Sequence, residues 1–62
     1  MNKEQFKKLD TLAQIDHVNN NLKEGKTLTA FSEEVGISRK TISKNFSKVG
    51  YKYSQSKKTV YP

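Results

Sequence analysis

Two residue types that commonly build catalytic and metal sites are scarce in this chain of 62 residues: there is no cysteine and only one histidine. Without cysteine, the chain can form no disulfide, thiol nucleophile or thiolate-ligated zinc site. His17 would need neighbouring carboxylate ligands to hold a metal ion, and the sequence clusters none suitably around it. We therefore expect no metal site and no cofactor, and we expect His17 to be a solvated side chain.

Long hydrophobic runs are also missing, because no more than two apolar residues follow one another anywhere. A membrane-spanning helix needs about 20 such residues and a signal peptide needs about 7–15, so we expect neither. The composition therefore favours a soluble, cytoplasmic protein, associated with the nucleoid if it binds DNA. Leu, Ile, Val and Phe make up 14 of the 62 residues, just above the level of about 20% typical of disordered chains. One small, thinly stabilised domain is predicted.

Acidic residues are absent from the second half of the chain. Residues 35–62 contain seven Lys or Arg and no Asp or Glu, which gives a charge of +7, whereas residues 1–34 contain five Lys and six acids, which gives −1. A strongly basic region of this kind attracts polyanions, and the nucleic-acid backbone is the commonest of them. The alternative is that the positive charge serves only solubility. That explanation would fit a basic excess spread evenly along the chain better than one confined to its second half.

The spacing of apolar residues in the first half of the chain predicts a helix over about 12–24, preceded by a short helical turn over residues 3–9. Thr11 and Gln14 fit a capping box at its start, and Gly25 supplies a left-handed stop. The inner face of the helix would consist of Leu12, Ile15, Val18, Asn19 and Leu22.

Two further helices are predicted in the middle of the chain. Thr27 can cap the first of them, which Gly36 ends, and Ser38 can cap the second, which Gly50 ends. Their inner faces would consist of Leu28, Phe31 and Val35, and of Ile42, Phe46 and Val49.

Beyond Gly50 the pattern changes from helical to alternating. Two short runs rich in Tyr, Val and Thr flank a polar turn, which predicts a β-hairpin over residues 51–61. A loose basic tail is the alternative, because two strands alone are only marginally stable in water. The tyrosines can stack on single-stranded bases, but we favour packing of the hairpin against the helices through Tyr51, Tyr53 and Tyr61.

Residues 28–46 have the pattern of a helix-turn-helix. Its first helix must cross the second closely, and the small Ser32 lies near its middle. Gly36 allows the positive φ that the turn needs, and Ile37 can fill the corner between the helices. Ser38 then caps the second helix, so that the start of this helix points outward.

Residues 28–46 resemble the helix-turn-helix of many bacterial regulators, and Gly36–Ile42 is similar to the DNA-binding domains of resolvases and DNA invertases. With residues 48–53 included, the segment resembles small DNA-binding modules of plasmids, phages and other mobile elements of low-GC Gram-positive bacteria. Two positions depart from that pattern. Ser32 replaces the usual Ala, which is tolerable if its hydroxyl bonds the preceding turn, and Asn45 stands where an apolar residue is common.

The resemblance implies a mainly α fold, namely a three-helix helix-turn-helix domain with a C-terminal β-hairpin wing. A single domain would span residues 1–62, with the helix-turn-helix unit at about 28–48 and the wing at 51–61. Such domains place the second helix in the major groove of DNA. The candidate base contacts are Arg39, Lys40, Ser43 and Lys44, of which Arg39 and Lys40 can equally contact phosphates. The candidate phosphate contacts are Thr27, Thr29, Thr41, Ser47, Lys48, Lys52, Lys57 and Lys58, although simple capping also explains Thr27.

The leading expectation for function is sequence-specific binding of double-stranded DNA, by a transcription regulator or by the DNA-reading domain of a plasmid or phage maintenance protein. One alternative is the targeting domain of a larger recombinase or replication initiator, and another is an RNA-binding or protein-binding helical module. No acid pair, nucleophile–base couple or phosphate loop is visible, so we expect no enzymatic activity. Helix-turn-helix proteins usually read two half-sites as dimers, which predicts a homodimer or a longer parent protein.

Overall fold

The computed structural model describes residues 2–62, which form four α-helices followed by a two-stranded antiparallel sheet. The helices are α1 (Lys3–Lys8), α2 (Thr11–Lys23), α3 (Leu28–Val35) and α4 (Arg39–Ser47). The strands are β1 (Lys52–Ser54) and β2 (Thr59–Tyr61), in which Lys52 lies opposite Tyr61, Tyr53 opposite Val60 and Ser54 opposite Thr59. The predicted mainly helical class and the C-terminal hairpin are both confirmed.

The start of α2 differs from the sequence prediction. Its N-cap is Asp10, whose carboxylate accepts a hydrogen bond of 2.8 Å from the backbone N–H of Ala13, so the capping box predicted from Thr11 is wrong. The side chain of Gln14 instead donates hydrogen bonds to the carbonyl oxygens of Phe6 at 2.9 Å and Leu9 at 3.3 Å. Gln14 therefore joins α1 to α2 instead of closing the end of its own helix.

The starts of α3 and α4 and the connection between them follow the predictions. The hydroxyl of Thr27 accepts the N–H of Ala30 at 3.1 Å, and the hydroxyl of Ser38 accepts the N–H of Thr41 at 3.3 Å. Gly36 ends α3 with a φ of 73°, in the left-handed region that glycine enters without steric cost. Only residues 36–38 separate the two helices, so their relative orientation is set by a very short turn.

One core of ten buried hydrophobic side chains holds the helices and the hairpin together. These residues are Phe6, Ile15, Val18, Leu22, Leu28, Phe31, Val35, Ile42, Phe46 and Val60. The rings of Phe6 and Phe31 meet edge to face with their centroids 5.4 Å apart, which secures α1 against α3. Ile37, Tyr51 and Tyr53 pack against this core while remaining partly exposed.

Ser32 is buried in α3, and its hydroxyl donates a hydrogen bond of 2.7 Å to the carbonyl oxygen of Thr29. This bond satisfies a polar group that would otherwise be costly to bury. The prediction that the Ser32 hydroxyl bonds the preceding turn of the helix is therefore confirmed.

Two apolar residues that periodicity assigned to inner faces lie on the surface. Leu12 is 58% exposed, because the buried face of α2 begins one turn later, at Ile15. Val49 is 45% exposed, because it follows Lys48, the C-cap at which the helical backbone of α4 ends. Both assignments were wrong for the same reason: a period identifies a face of a helix but not the length over which that face meets the core.

The hairpin is attached to α2 through the side chain of Asn19. The N–H of Val60 donates to Oδ1 of Asn19 at 2.7 Å, and Nδ2 of Asn19 donates to the carbonyl oxygen of Val60 at 3.2 Å. The amide thus takes the place of a neighbouring strand, while the Val60 side chain enters the core. These contacts fix to the helices a two-stranded hairpin that would be only marginally stable alone.

The core is small enough for a single truncation to decide whether the chain folds. Ile42 is 1% exposed, so we expect Ile42→Val to lower the free energy of unfolding by about 0.5–1.5 kcal/mol and Ile42→Ala by about 2–5 kcal/mol. The upper part of the second range reaches the total of about 3–5 kcal/mol expected for a core of this size. Urea unfolding followed by circular dichroism measures both. The exposed Leu12→Ala is the control, and a comparable loss there would contradict the burial pattern.

Asn19 should matter for stability more than its neighbour. In Asn19→Ala the half-buried N–H and C=O of Val60 lose their partner, and we expect a loss of about 1–3 kcal/mol, together with faster hydrogen exchange at the Val60 amide. Asn20→Ala changes the same residue type at an exposed position and should have little effect. Equal losses in the two variants would show that Asn19 does not anchor the hairpin.

Candidate nucleic-acid interface

The position of α4 is fixed from beneath by Ile42 and Phe46, which are both buried. Lys44 lies two residues from each of them, which places it on the opposite side of the helix. Residues four apart share a helix face, and Lys48 continues the helical backbone as the C-cap. Lys40, Lys44 and Lys48 therefore form one outward row, which we call the lysine crest.

The lysine crest is not neutralised by acidic neighbours. Its three side chains are exposed, and within residues 2–62 the structure shows one ion pair, between Lys26 and Glu34 with 3.0 Å between Nζ and Oε2. The hydrogen bond and the positive charge of Lys26 lower the pKa of Glu34. The crest thus presents its full charge to solvent, where it can attract an anionic partner.

One flank of α4 faces the hairpin across a groove. Arg39, Ser43 and Ser47, again four residues apart, line a cleft of about 320 Å³ together with Leu28, Lys52, Tyr53 and Gln55. A second cleft, of about 270 Å³, shares Leu28, Arg39, Tyr53 and Gln55 and extends toward the start of α3. We call the two together the α4–hairpin groove. None of the residues that line it is acidic.

Arg39 is held within this groove by a hydrogen bond to α3. Its Nη1 donates to Oγ1 of Thr29 at 2.9 Å. Of the two residues, sequence reasoning assigned Arg39 to bases and Thr29 to phosphates, but it did not foresee that they bond to each other. The bond keeps the guanidinium beside α3, on the flank of α4 and away from the lysine crest.

The remaining hydroxyls predicted to contact phosphates are at the surface, and each already makes a local hydrogen bond. Thr27 caps α3, Thr41 pairs with the hydroxyl of Ser38 at 2.9 Å, and Ser47 donates to the carbonyl oxygen of Ser43 at 3.0 Å. The hydroxyl of Ser47 donates its proton in this bond and has no second one to give, whereas the hydroxyl of Thr27 only accepts and keeps its proton. Because hydrogen bonds from a charged donor are stronger than those from a neutral one, the lysines remain the stronger candidates for phosphate contacts.

The hairpin carries three of the lysines predicted to contact phosphates, one in β1 and two in the turn. Lys52 lines the groove from β1, and Lys58 lines it from the turn. Nζ of Lys57 lies 5.8 Å from the centre of the Tyr61 ring, a cation–π distance. Tyr61 is 40% exposed, so the prediction that all three tyrosines pack inward is confirmed for Tyr51 and Tyr53 and wrong for Tyr61.

Sequence reasoning missed two residues of this region. Asn19 fell on a predicted inner face, and a polar residue at such a position was a usable signal that its side chain has a specific partner. Gln55 lies in the polar turn of the hairpin and lines both clefts, and nothing in its sequence context distinguished it.

Within the described residues, no group of three or more His, Cys, Asp or Glu could hold a metal ion. No helix in the same part of the chain is both long and apolar enough to cross a membrane. Comparisons with protein-family models, curated proteins and solved structures found no match to this chain. Function must therefore be inferred from the chain's own residues and their arrangement.

Proposed function

We propose that this protein binds double-stranded DNA in a sequence-specific manner, with α3 and α4 acting as a helix-turn-helix and α4 entering the major groove. The observation that carries the proposal is the lysine crest, an unpaired row of cations directly opposite the buried face of α4. A helix with its side chains is about 10–12 Å across, and the major groove of B-DNA is about 12 Å wide. The dimensions and the charge therefore suit the same partner.

Within this arrangement Lys44 is the main candidate for a base contact. It lies at the centre of the crest, opposite the buried face of α4, and an ammonium group can donate to O6 and N7 of guanine. Lys40 and Ser43 lie on either side of it and can contact adjacent base edges. Lys48, at the end of α4, is placed to neutralise a phosphate.

The basic hairpin supports the same proposal through a sequence-independent contribution. Lys52, Lys57 and Lys58 have no acidic partner in the described part of the chain. Each phosphate that they neutralise would release counterions, so the affinity for any duplex should fall steeply with salt. Contacts of this kind set the position and orientation of the protein, whereas α4 reads the bases.

The first experiment is selection of bound duplexes from a randomised DNA library at near-physiological salt. We expect one enriched sequence. A palindrome would indicate a dimeric transcription regulator or plasmid maintenance protein, and its half-site spacing would give the geometry of the dimer. A single short site would indicate a module that acts within a longer protein, such as a recombinase or replication initiator. Binding without enrichment, or no binding, would contradict the proposal.

Competition among nucleic acids tests the proposed duplex specificity. The exposed Tyr61 beside Lys57 is the feature that favours a single-stranded partner, because bases stack on aromatic rings. We nevertheless expect duplex DNA to compete best, since the major groove of A-form RNA is too narrow for a helix. Stronger competition by single strands or duplex RNA would assign the basic surface to a different partner.

Removing the central lysine of the crest should impair recognition selectively. We expect Lys44→Ala to lower affinity for the selected sequence by about 1–3 kcal/mol, or about 5- to 150-fold, and to have a much smaller effect on random DNA. Fluorescence anisotropy with both duplexes measures the difference. Lys23→Ala removes an exposed helix lysine from α2 and serves as the control. An equal loss on both duplexes for Lys44→Ala would rule out base reading by this residue.

A further inference from the structure

The α4–hairpin groove has the composition of an anion site. Four cations line it, namely Lys26, Arg39, Lys52 and Lys58, and no acidic side chain does. Within residues 2–62 Lys26 is paired with Glu34, whereas Arg39, Lys52 and Lys58 form no ion pair. Tyr53 and Gln55 line both of its clefts, so a phenol and an amide are also present as hydrogen-bond donors. The groove therefore combines positive charge with side chains that can donate hydrogen bonds.

The orientation of Arg39 suits an anion in this groove better than a base edge. One of its N–H groups is used by the bond of 2.9 Å to Thr29, and a guanidinium has five such donors in a planar fork. The others remain available, and the fork matches the oxygen atoms of a phosphate. The bond also orders the long Arg39 side chain before a ligand binds, so that less side-chain conformational entropy is lost on binding.

Lys58 is held in an unusual backbone conformation at the edge of the same groove. Its φ of 52° is the one positive value among the non-glycine residues that the structure describes. This left-handed conformation is unfavourable for a lysine and is more easily adopted by Gly, Asn or Asp. Unfavourable conformations of this kind concentrate at functional sites, which suggests that the charge of Lys58 is useful where the turn places it.

We propose that the α4–hairpin groove receives one phosphate of the DNA backbone, with Arg39 as its principal ligand, so that Arg39 does not read base edges. This inference rests on the proposed function. If α4 occupies the major groove, the strand that borders that groove must pass along a flank of α4. The hairpin faces the flank formed by Arg39, Ser43 and Ser47 across the groove. A DNA strand that follows this flank would therefore lie between α4 and the hairpin.

The test replaces single phosphates of the selected duplex, one at a time, by neutral methylphosphonates. We expect wild-type protein to lose about 10- to 100-fold in affinity at one backbone position, the range for a hydrogen-bonded charge. Arg39→Gln should lose a similar factor on unmodified DNA and show no further loss at that position. Its salt slope should be shallower by about 0.9, as for one lost phosphate contact, and its selected sequence should be unchanged.

Three further variants separate binding from folding. Thr29→Val removes the acceptor for Arg39 without changing size, so it should weaken binding in the wild-type background and have no effect in Arg39→Gln. Lys58→Asn suits the left-handed φ, and we expect it to leave the free energy of unfolding equal or higher while binding to all duplexes weakens. Lys8→Gln removes one charge from α1, outside the groove, and should change little.

The outcomes distinguish this inference from the function on which it rests. If Arg39→Gln alters the selected sequence, or still responds fully to the methylphosphonate that affects wild type, the phosphate assignment is wrong. A selective effect of Lys44→Ala would in that case still support recognition by α4. If the wild-type protein binds no duplex at all, both the inference and the proposed function are overturned.

Discussion

The whole structure depends on a single small hydrophobic core, to which α1 and the hairpin contribute one buried side chain each. Phe6 is the one buried side chain of α1, and Val60 is the one buried side chain of the hairpin. Both elements therefore rely on the packed faces of α2, α3 and α4. Polar contacts complete the attachment, since Gln14 joins α1 to α2 and Asn19 joins α2 to the strand that contains Val60. Because the chain has no disulfide to add stability to this small core, the loss of either attachment should be costly.

The same core also determines what the exposed surface can do. Because Ile42 and Phe46 fix the rotation of α4, Lys44 must point away from the molecule. Because Asn19 fixes the hairpin behind its second strand, the turn that contains Lys58 keeps its place across a groove from α4. A short, polar sequence can thus present two rigid basic elements with a defined space between them. Rigid presentation of this kind is what selective recognition requires.

Much of this fold follows from local signals in the sequence. The caps at Thr27 and Ser38 and the left-handed Gly36 were predictable because each depends on residues within one turn of the chain. The wrong predictions concern residues at the edge of the core, where burial depends on packing between elements and not on the local sequence. The period that predicted burial of Leu12 and Val49 could not show where that core ends. Likewise, the capping box predicted from Thr11 and Gln14 was wrong, because Asp10 caps α2 and the Gln14 side chain bonds to a carbonyl of α1 instead.

The sequence by itself determined the division of charge, the helical pattern of residues 28–46 and the outward row of basic residues on α4, because these depend only on residue type and spacing. Only the tertiary structure decided how Arg39 is oriented and which residues share a groove with it. Arg39 meets Thr29 across ten positions, and Asn19 meets Val60 across forty-one. Spacing along one helix cannot reveal such contacts, because they depend on how separate elements pack together.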